Sequence, residues 1–261
     1  MRKRFENKVI LITGGGSGLG QAAALRVAGE GAQLALVDVS GEALEATRKM
    51  IAERSPEAEV LLITADVADE EAVREYVRQT VERFGRIDGF YNNAGIEGRQ
   101  NLTADYGSEE FLKVIGINLN GVFYGMKSVI EVMMRQGGGA IVNAASVGGI
   151  RGVGNQSGYA ASKHGVVGLT RNSAIEYGEH GIRVNAVAPG AILTPMVENS
   201  LRQIAGDDWE QAGREFVSVN PMKRLGRPEE VAGVVAFLLS DDASFINAAV
   251  VPIDGGQSYK Y

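Results

Sequence analysis

The chain has 261 residues, of which 45% are hydrophobic, and its formal net charge is −6. This length and composition suit one large core, so we predict a single domain over residues 1–261, and the negative charge argues against a nucleic-acid partner. The lack of cysteine excludes disulfides and thiolate catalysis, and two histidines, His164 and His180, are too few for a histidine cluster, so we predict no metal site.

No run of apolar residues approaches the roughly 20 that span a bilayer, and no apolar segment of signal-peptide length follows the basic residues 1–4. We therefore predict a soluble, cytoplasmic protein that does not contact a membrane. The sequence also contains neither the GxSxG motif of many hydrolases nor the GK[ST] motif of phosphate-binding loops. Hydrolase and kinase functions thus have no motif to support them.

A glycine-rich turn follows the first predicted strand. Residues 9–13 read VILIT, residues 14–20 read GGGSGLG, and residues 21–31 have helical composition. Glycine lets a ligand approach the backbone, and a helix start offers free N–H groups, so a pyrophosphate fits here without a basic side chain. The turn predicts nucleotide binding rather than a merely flexible loop. The predicted contacts are Gly14, Ser17, Gly18, Leu19 and Gly20.

The second predicted strand, LALVDV, places Asp38 near its carboxyl end. A carboxylate at this point can accept hydrogen bonds from both hydroxyls of the adenosine ribose. A 2′-phosphate would be repelled by it, and the neighbouring Ser17, Val39 and Ser40 offer no compensating cation. We predict NAD rather than NADP as the cofactor. The alternative is that Asp38 is only a turn residue.

Seven strand-like runs alternate with helical segments along the chain. This alternation predicts an α/β fold of the Rossmann type, a doubly wound parallel sheet with helices on both faces. Ligands of such sheets bind beyond the carboxyl ends of the strands. The third to sixth strands are followed there by Asp66 and Val67, by Asn93, Ala94 and Gly95, by Ser146, and by Pro189 and Gly190. We expect these residues to form one site.

Tyr159 has a lysine four residues downstream, Lys163, and a serine thirteen residues upstream, Ser146. Four residues is slightly more than one helical turn, so the phenol and the ammonium share a helix face. A nearby cation favours the phenolate, so we predict that Lys163 lowers the pKa of Tyr159 towards neutrality, where a general acid or base works best. The spacing alone is weak evidence. The position of Ser146 at the same sheet edge as the other motifs supports a proton-transfer site.

The chain resembles the short-chain dehydrogenase/reductase family. The motifs of that family occur in its order over essentially the whole chain: Thr13-Gly14-x-x-x-Gly18-x-Gly20, Asn92-Asn93-Ala94-Gly95, Asn118, Ser146, Tyr159-x-x-x-Lys163 and Pro189-Gly190. The resemblance implies an NAD(P)-dependent oxidoreductase with strand order 3-2-1-4-5-6-7, and a homotetramer built from long helices that begin near Ser108 and Ser157. One departure is Asn247-Ala248, where many members have Thr-Gly before the last strand. The resemblance therefore does not predict the backbone conformation at these two residues.

The resemblance also implies roles for individual residues. In ketone reduction Tyr159 donates the proton, Ser146 holds the developing oxyanion, and Lys163 also binds the nicotinamide ribose. Asn118 would hold a water that links Lys163 to solvent, with hydrogen bonding to a neighbouring backbone as a close alternative. Cofactor contacts follow for Asp66 and Val67 at adenine, Asn93, Ala94 and Gly95 at the adenosine side, and Pro189, Gly190, Ile192 and Thr194 at the nicotinamide carboxamide.

The substrate is predicted less sharply than the reaction. Stretches 96–101, 146–178 and 250–258 resemble family members that reduce cyclic diketones, which suggests a cyclic ketone or diketone and its secondary alcohol. Residues 191–217 are predicted to form a mobile lid that excludes water, with a static pair of surface helices as the alternative. The predicted substrate contacts are Glu97, Ser146, Val147, Gly148, Val153, Gln156, Tyr159, Met196 and Trp209.

Three other functions remain open from the sequence. An NAD-binding redox sensor needs the glycine turn but has no use for Ser146, Tyr159 and Lys163 together. Epimerisation or dehydration of a nucleotide sugar needs an extra sugar-binding domain, for which little chain remains after the sixth strand. A short-chain dehydrogenase that acts on another alcohol, such as a sugar, a steroid or a diol, would share every motif above.

Overall fold

Seven parallel strands form one sheet in the computed structural model, which describes residues 3–218 and 220–259. The strands are β1 Val9–Thr13, β2 Gln33–Asp38, β3 Val60–Thr64, β4 Gly89–Asn92, β5 Gly139–Ala144, β6 Ile182–Pro189 and β7 Val250–Ile253. Their order is β3-β2-β1-β4-β5-β6-β7, so the strand order reverses between β1 and β4. The predicted sheet and its strand order are confirmed. Residues 1, 2, 219, 260 and 261 of the predicted single domain lie outside the described residues.

Helices fill the connections between the strands. They are α1 Gly18–Ala28, α2 Gly41–Arg54, α3 Glu70–Phe84, α4 Ser108–Ile115, α5 Gly121–Gln136, α6 Ser157–Tyr177, α7 Pro195–Ala205, α8 Trp209–Ser218 and α9 Pro228–Leu239. The long helix expected from Ser108 is divided, because a π-helical turn at Gly116–Asn120 separates α4 from α5. No helix in the described part of the chain is both long and apolar enough to cross a membrane.

Both faces of the sheet are buried, as the near-continuous apolar strands require. Successive side chains of a strand point to opposite faces, so Ile10 and Ile12 of β1 pack in one cluster with α1 and α9, while Leu11 packs in the other. The second cluster includes Val73 of α3 and Val129 of α5. Because helices cover both faces, the edge at the carboxyl ends of the strands is the part of the sheet left for a ligand.

The departure at Asn247-Ala248 keeps a conformation that normally suits glycine. Ala248 has φ of 61°, in the left-handed region. Asn247 fixes this turn, since its Oδ1 accepts from the Val184 N–H at 2.9 Å and its Nδ2 donates to the Ala174 carbonyl at 2.9 Å. The chain therefore retains a strained backbone through side-chain hydrogen bonds.

We expect Ala248→Gly to raise the free energy of unfolding by about 1 kcal/mol. A residue with a Cβ loses roughly 1–2 kcal/mol in the left-handed backbone region, and glycine avoids this strain. The greater conformational entropy of glycine in the unfolded chain offsets part of the gain. Urea denaturation measures the change. Ala249→Gly, one residue later and outside the left-handed region, is the matched control and should lower stability. A loss of stability in both variants would contradict the assignment of strain.

Candidate active site

The carboxyl ends of the strands enclose a cleft of about 380 Å³. Of the predicted cofactor residues, all but Gly20 line it: Gly14, Ser17, Gly18, Leu19, Asp38, Asp66, Val67, Asn93, Ala94, Gly95, Tyr159, Lys163, Pro189, Gly190, Ile192 and Thr194. Ser146 and Met196 of the predicted substrate residues line it as well. The structure thus brings one set of residues from six strand ends to a single cleft.

The glycine turn leaves the start of α1 open. Ser17 occupies the N-cap position but its side chain makes no capping hydrogen bond, whereas Ser40 caps α2 and Asp69 caps α3. Uncapped N–H groups at a helix start are donors that suit a phosphate. Gly20 has a different role, since a Cβ there would lie 2.0 Å from the carbonyl oxygen of Gly14. Gly20 therefore permits close packing of the turn, and its contact with a cofactor stays a prediction.

Asp38 is held in place at the end of β2. Its Oδ2 accepts from the Gly16 N–H at 3.0 Å and its Oδ1 from the Ser40 N–H at 3.1 Å. Among the described cleft-lining residues the one cation is Lys163, which is bound at the end of β5, two strands beyond β1 in the sheet. The carboxylate therefore faces the cleft without a neighbouring positive charge that could receive a 2′-phosphate.

Thr13 joins the ends of β1 and β4, where the strand order reverses. Its hydroxyl oxygen accepts from the Asn93 N–H at 2.9 Å and from the Ala94 N–H at 3.0 Å. The Asn93 side chain returns a hydrogen bond to the Thr13 carbonyl at 2.9 Å. Sequence reasoning placed Thr13 in a motif but gave it no role, and its one signal is a hydroxyl at the end of an apolar strand.

The proposed proton-transfer residues meet at the end of β5. Ser146 follows this strand, and its Oγ accepts from the Gly148 N–H at 3.1 Å. Tyr159 lies beside it, because both residues line the cleft and a Cβ on Gly148 would be 3.3 Å from Cε1 of Tyr159. Lys163 is buried, with its Nζ donating to the Ala144 carbonyl at 2.7 Å and lying 5.6 Å from the centroid of the Tyr159 ring. Serine, phenol and ammonium therefore form one cluster in the lining of the cleft.

Burial controls the protonation of this cluster. It raises the pKa of Tyr159 above its ordinary value of 10.0. The Ser146 hydroxyl lowers this pKa, and the negative charge of Glu97 raises it further. Burial lowers the pKa of Lys163 from 10.5 to about 8. The prediction that Lys163 brings the pKa of Tyr159 towards neutrality is wrong for this structure. The ammonium is turned to the Ala144 carbonyl, and desolvation of the phenol outweighs the remaining effects.

Asn118 lies in the π-helical turn and is completely buried. Its Oδ1 accepts from the Ile96 N–H at 2.8 Å, and its Nδ2 donates to the Ile96 carbonyl at 2.7 Å. The side chain thus bonds a neighbouring backbone, which was the alternative for this residue, and it fixes the segment after β4. The water-holding role stays a prediction, and Asn118 does not line the cleft.

The other predicted substrate residues lie outside the lining of the cleft. A Cβ on Gly148 would be 3.3 Å from Cε1 of Tyr159 and 3.2 Å from Cγ2 of Val153, so these three residues are packed together. Trp209 lies at the start of α8, where the guanidinium of Arg202 is 5.0 Å from its ring. The remaining predicted substrate residues outside the lining are Glu97, Val147 and Gln156.

Glu97 receives hydrogen bonds from three other side chains on one oxygen. Its Oε1 accepts from the Ser200 hydroxyl at 2.7 Å, from Gln156 Nε2, and from Gln100 Nε2 at 3.5 Å. Burial raises the pKa of Glu97, and the hydrogen bonds partly oppose this effect. Ser200 carries no sequence motif, and Gln100 lies in the stretch 96–101 that resembles other family members but was given no role of its own.

Comparisons with known proteins agree with this geometry. A family model described as Enoyl-(Acyl carrier protein) reductase matches residues 14–258. Levodione reductase of Leifsonia aquatica is 64% identical over 99% of this chain and 97% of its own, and cyclohexanol dehydrogenase of Acinetobacter sp. is 43% identical over 100% and 98%.

Solved structures give the same picture. A crystal structure of levodione reductase, 64% identical, has a TM-score of 0.97 over 98% of this chain and 100% of its own. That of NAD+-bound xylitol dehydrogenase, 38% identical, has a TM-score of 0.92 over 97% and 99%. The likeness therefore extends over the whole described fold and includes a protein solved with NAD+.

Proposed function

The chain belongs to the short-chain dehydrogenase/reductase family, and on that premise we propose that it is an NAD-dependent oxidoreductase that interconverts a cyclic ketone and a secondary alcohol. The observation that carries the proposal is the meeting of Ser146, Tyr159 and Lys163 at one end of a cleft lined by the glycine turn and Asp38. Cyclic substrates follow from the names of the similar levodione reductase and cyclohexanol dehydrogenase. A redox sensor without turnover is not favoured.

The residues of the cleft fit NAD. The uncapped start of α1 would receive the pyrophosphate, Asp38 would accept hydrogen bonds from the adenosine ribose, and Lys163 would bind the nicotinamide ribose. NADH, when bound, supplies the hydride that reduces the carbonyl carbon of the substrate. The protein's own task is then to hold the substrate and to deliver a proton to its oxygen.

Tyr159 delivers that proton. In the reductive direction its hydroxyl donates to the carbonyl oxygen, and the Ser146 hydroxyl donates a hydrogen bond to the same oxygen as negative charge develops there. The Gly148 N–H occupies a lone pair of Ser146 Oγ and so orients this hydroxyl. Because burial raises the pKa of Tyr159, the phenol is protonated at neutral pH, which is the form that reduction requires. Alcohol oxidation needs the opposite form and is favoured at alkaline pH.

Residues 191–217 form the lid over the substrate. The segment contains α7 and α8, and apolar side chains such as Leu193, Ile204 and Phe216 remain exposed on it. Met196 reaches the cleft from this segment. Glu97, Gly148, Val153, Gln156 and Trp209 complete the surroundings of the substrate. Lid closure excludes water from the reacting groups.

The cellular form of the enzyme is a cytoplasmic homotetramer. Apolar side chains are exposed on the helices that the family resemblance assigns to subunit contacts, namely Leu112 of α4, Phe123 of α5 and Ile175 of α6. Burial of such residues against another copy would stabilise the assembly. Sedimentation of the purified chain measures the number of subunits.

A panel of ketones monitored through NADH absorbance tests the function. We expect levodione and cyclohexanone to be reduced with a higher kcat/KM than an acyclic ketone of similar size. Oxidation of cyclohexanol with NAD should give the reverse reaction. The proposal fails if no ketone consumes NADH, and the substrate class is wrong if the acyclic ketone is preferred.

Asp38 provides a test of the cofactor. In Asp38→Asn an oxygen remains for the Gly16 N–H but the charge is lost, so we expect the dissociation constant of NAD to rise about tenfold and the discrimination against NADP to shrink. Thermal shifts with each dinucleotide measure both effects. The exposed Asp105, changed to Asn, is the matched control. Stronger stabilisation of the unaltered protein by NADP than by NAD would overturn the assignment.

A further inference from the structure

One carboxylate oxygen joins three parts of the chain beside the active site. Ser200 of α7 and Gln156, directly before α6, both donate to Oε1 of Glu97, which lies in the segment after β4. Gln100 of the same segment donates to the Ser200 hydroxyl oxygen at 2.8 Å and more weakly to Glu97. Glu97, Ser200 and Gln100 thus close a hydrogen-bonded triangle that ties α7 to the segment after β4.

The triangle supplies the side-chain hydrogen bonds that attach the lid helices, α7 and α8, to the rest of the described chain. Over 195–218, the other side-chain hydrogen bonds of the described residues stay within a helix, as in Arg202 with Glu198, Arg214 with Gln211, and Ser218 with the Glu215 carbonyl. Within α7 and α8, Ser200 is the residue whose side chain forms hydrogen bonds with described residues outside these two helices. Removing its hydroxyl would therefore free these helices from their polar attachment.

The same triangle lies next to the chemistry. Gln156, which donates to Glu97, lies three residues before Tyr159, and Glu97 directly follows Ile96 of the cleft lining, so the carboxylate is held beside the cleft that contains the proton donor. Its negative charge raises the pKa of the Tyr159 phenol. We propose that Ser200 is a positioning residue that latches α7 to Glu97 and couples closure of the lid to the position of this carboxylate beside Tyr159. This inference rests on the proposed function and adds the residue that holds its lid shut.

Ser200→Ala tests the latch. Loss of a hydrogen bond to a charged group should raise KM for levodione about tenfold, while kcat stays equal or rises because the lid opens more readily. Trypsin should also cut faster after Arg202 and Arg214 in the free protein, as followed by mass spectrometry. Ser200→Thr keeps a hydroxyl and should restore both properties towards those of the unaltered protein.

Ser218→Ala is the matched control, because it removes a hydroxyl from the same segment whose hydrogen bond stays within α8. It should change neither KM nor the cleavage rate. The latch is overturned if Ser200→Ala behaves like this control in either measurement, since the proposal requires both to change together. Unchanged melting temperatures show that cleavage reports the lid rather than unfolding. If no ketone is turned over, the proposed function fails and the cleavage rates alone decide the latch.

Discussion

Replacing Tyr159 with Phe is expected to lower kcat for ketone reduction about 10²–10⁴-fold, which is the usual contribution of a positioned general acid. The ring still packs against Gly148 and Val153, so the shape of the site is retained. Only the hydroxyl that donates the proton is lost. Steady-state kinetics with levodione and NADH measure the loss, and fluorescence titration should show nearly unchanged NADH binding.

Tyr177→Phe is the control for this substitution. Tyr177 is the last residue of the same helix, α6, about 27 Å along the helix axis from Tyr159, and it is partly buried against the core. Tyr177→Phe removes the same phenol oxygen as Tyr159→Phe but should keep full activity. Retained turnover in Tyr159→Phe would reject the proton-transfer role, and equal loss in both variants would point to damage of α6 instead.

The sheet was predictable because its strands are buried on both faces. Runs such as residues 9–13 are almost entirely apolar and end in glycine or small polar residues, so their number and type can be read without packing information. The order of the strands came from the family resemblance, since periodicity does not specify neighbours. Once a parallel sheet is assumed, the convergence of Asp38, Ser146 and Pro189 at one edge follows from geometry.

The chemistry within the site was less predictable. A spacing of four residues places Tyr159 and Lys163 on one helix face, but it does not choose the side-chain rotamers. The Ala144 carbonyl at the end of β5 accepts from the ammonium, and burial then dominates both pKa values. This acceptor is a backbone atom, so no residue type in the sequence could signal it.

Contacts between distant segments were also hidden. Glu97 and Ser200 are 103 positions apart, and their hydrogen bond depends on where α7 packs. Asn118 was identified by its family motif, yet its partner, the backbone of Ile96, requires the π-helical turn that divides the expected long helix. Such features arise from tertiary packing and local irregularity, neither of which hydrophobic periodicity encodes.

Replacing Lys163 with Met is expected to abolish most activity. The same substitution should remove the free-energy cost of burying the charged ammonium in the folded protein. Lys163 is only 4% exposed, and burial depresses its pKa from 10.5 to about 8. Each tenfold change in a protonation equilibrium is worth about 1.4 kcal/mol, so holding the charged form in the folded state costs about 3 kcal/mol at neutral pH. Activity falls because the ammonium at the end of β5 is no longer there to bind the nicotinamide ribose.

The sign of the pH dependence separates this cost from other effects of the substitution. Below about pH 8 the lysine is charged in both the folded and the unfolded state, so the folded protein bears the full cost of burying the charge. Between about pH 8 and 10.5 the unfolded chain binds more protons than the folded protein. The stability of the unaltered protein therefore rises relative to that of Lys163→Met over this range. Urea denaturation should show the difference between the two proteins shifting by about 3 kcal/mol over this range. Lys113→Met, at an exposed position on α4, is the matched control for removal of a lysine. A difference that stays constant with pH, or shifts in the opposite direction, would show that Lys163 is not held in a desolvated site.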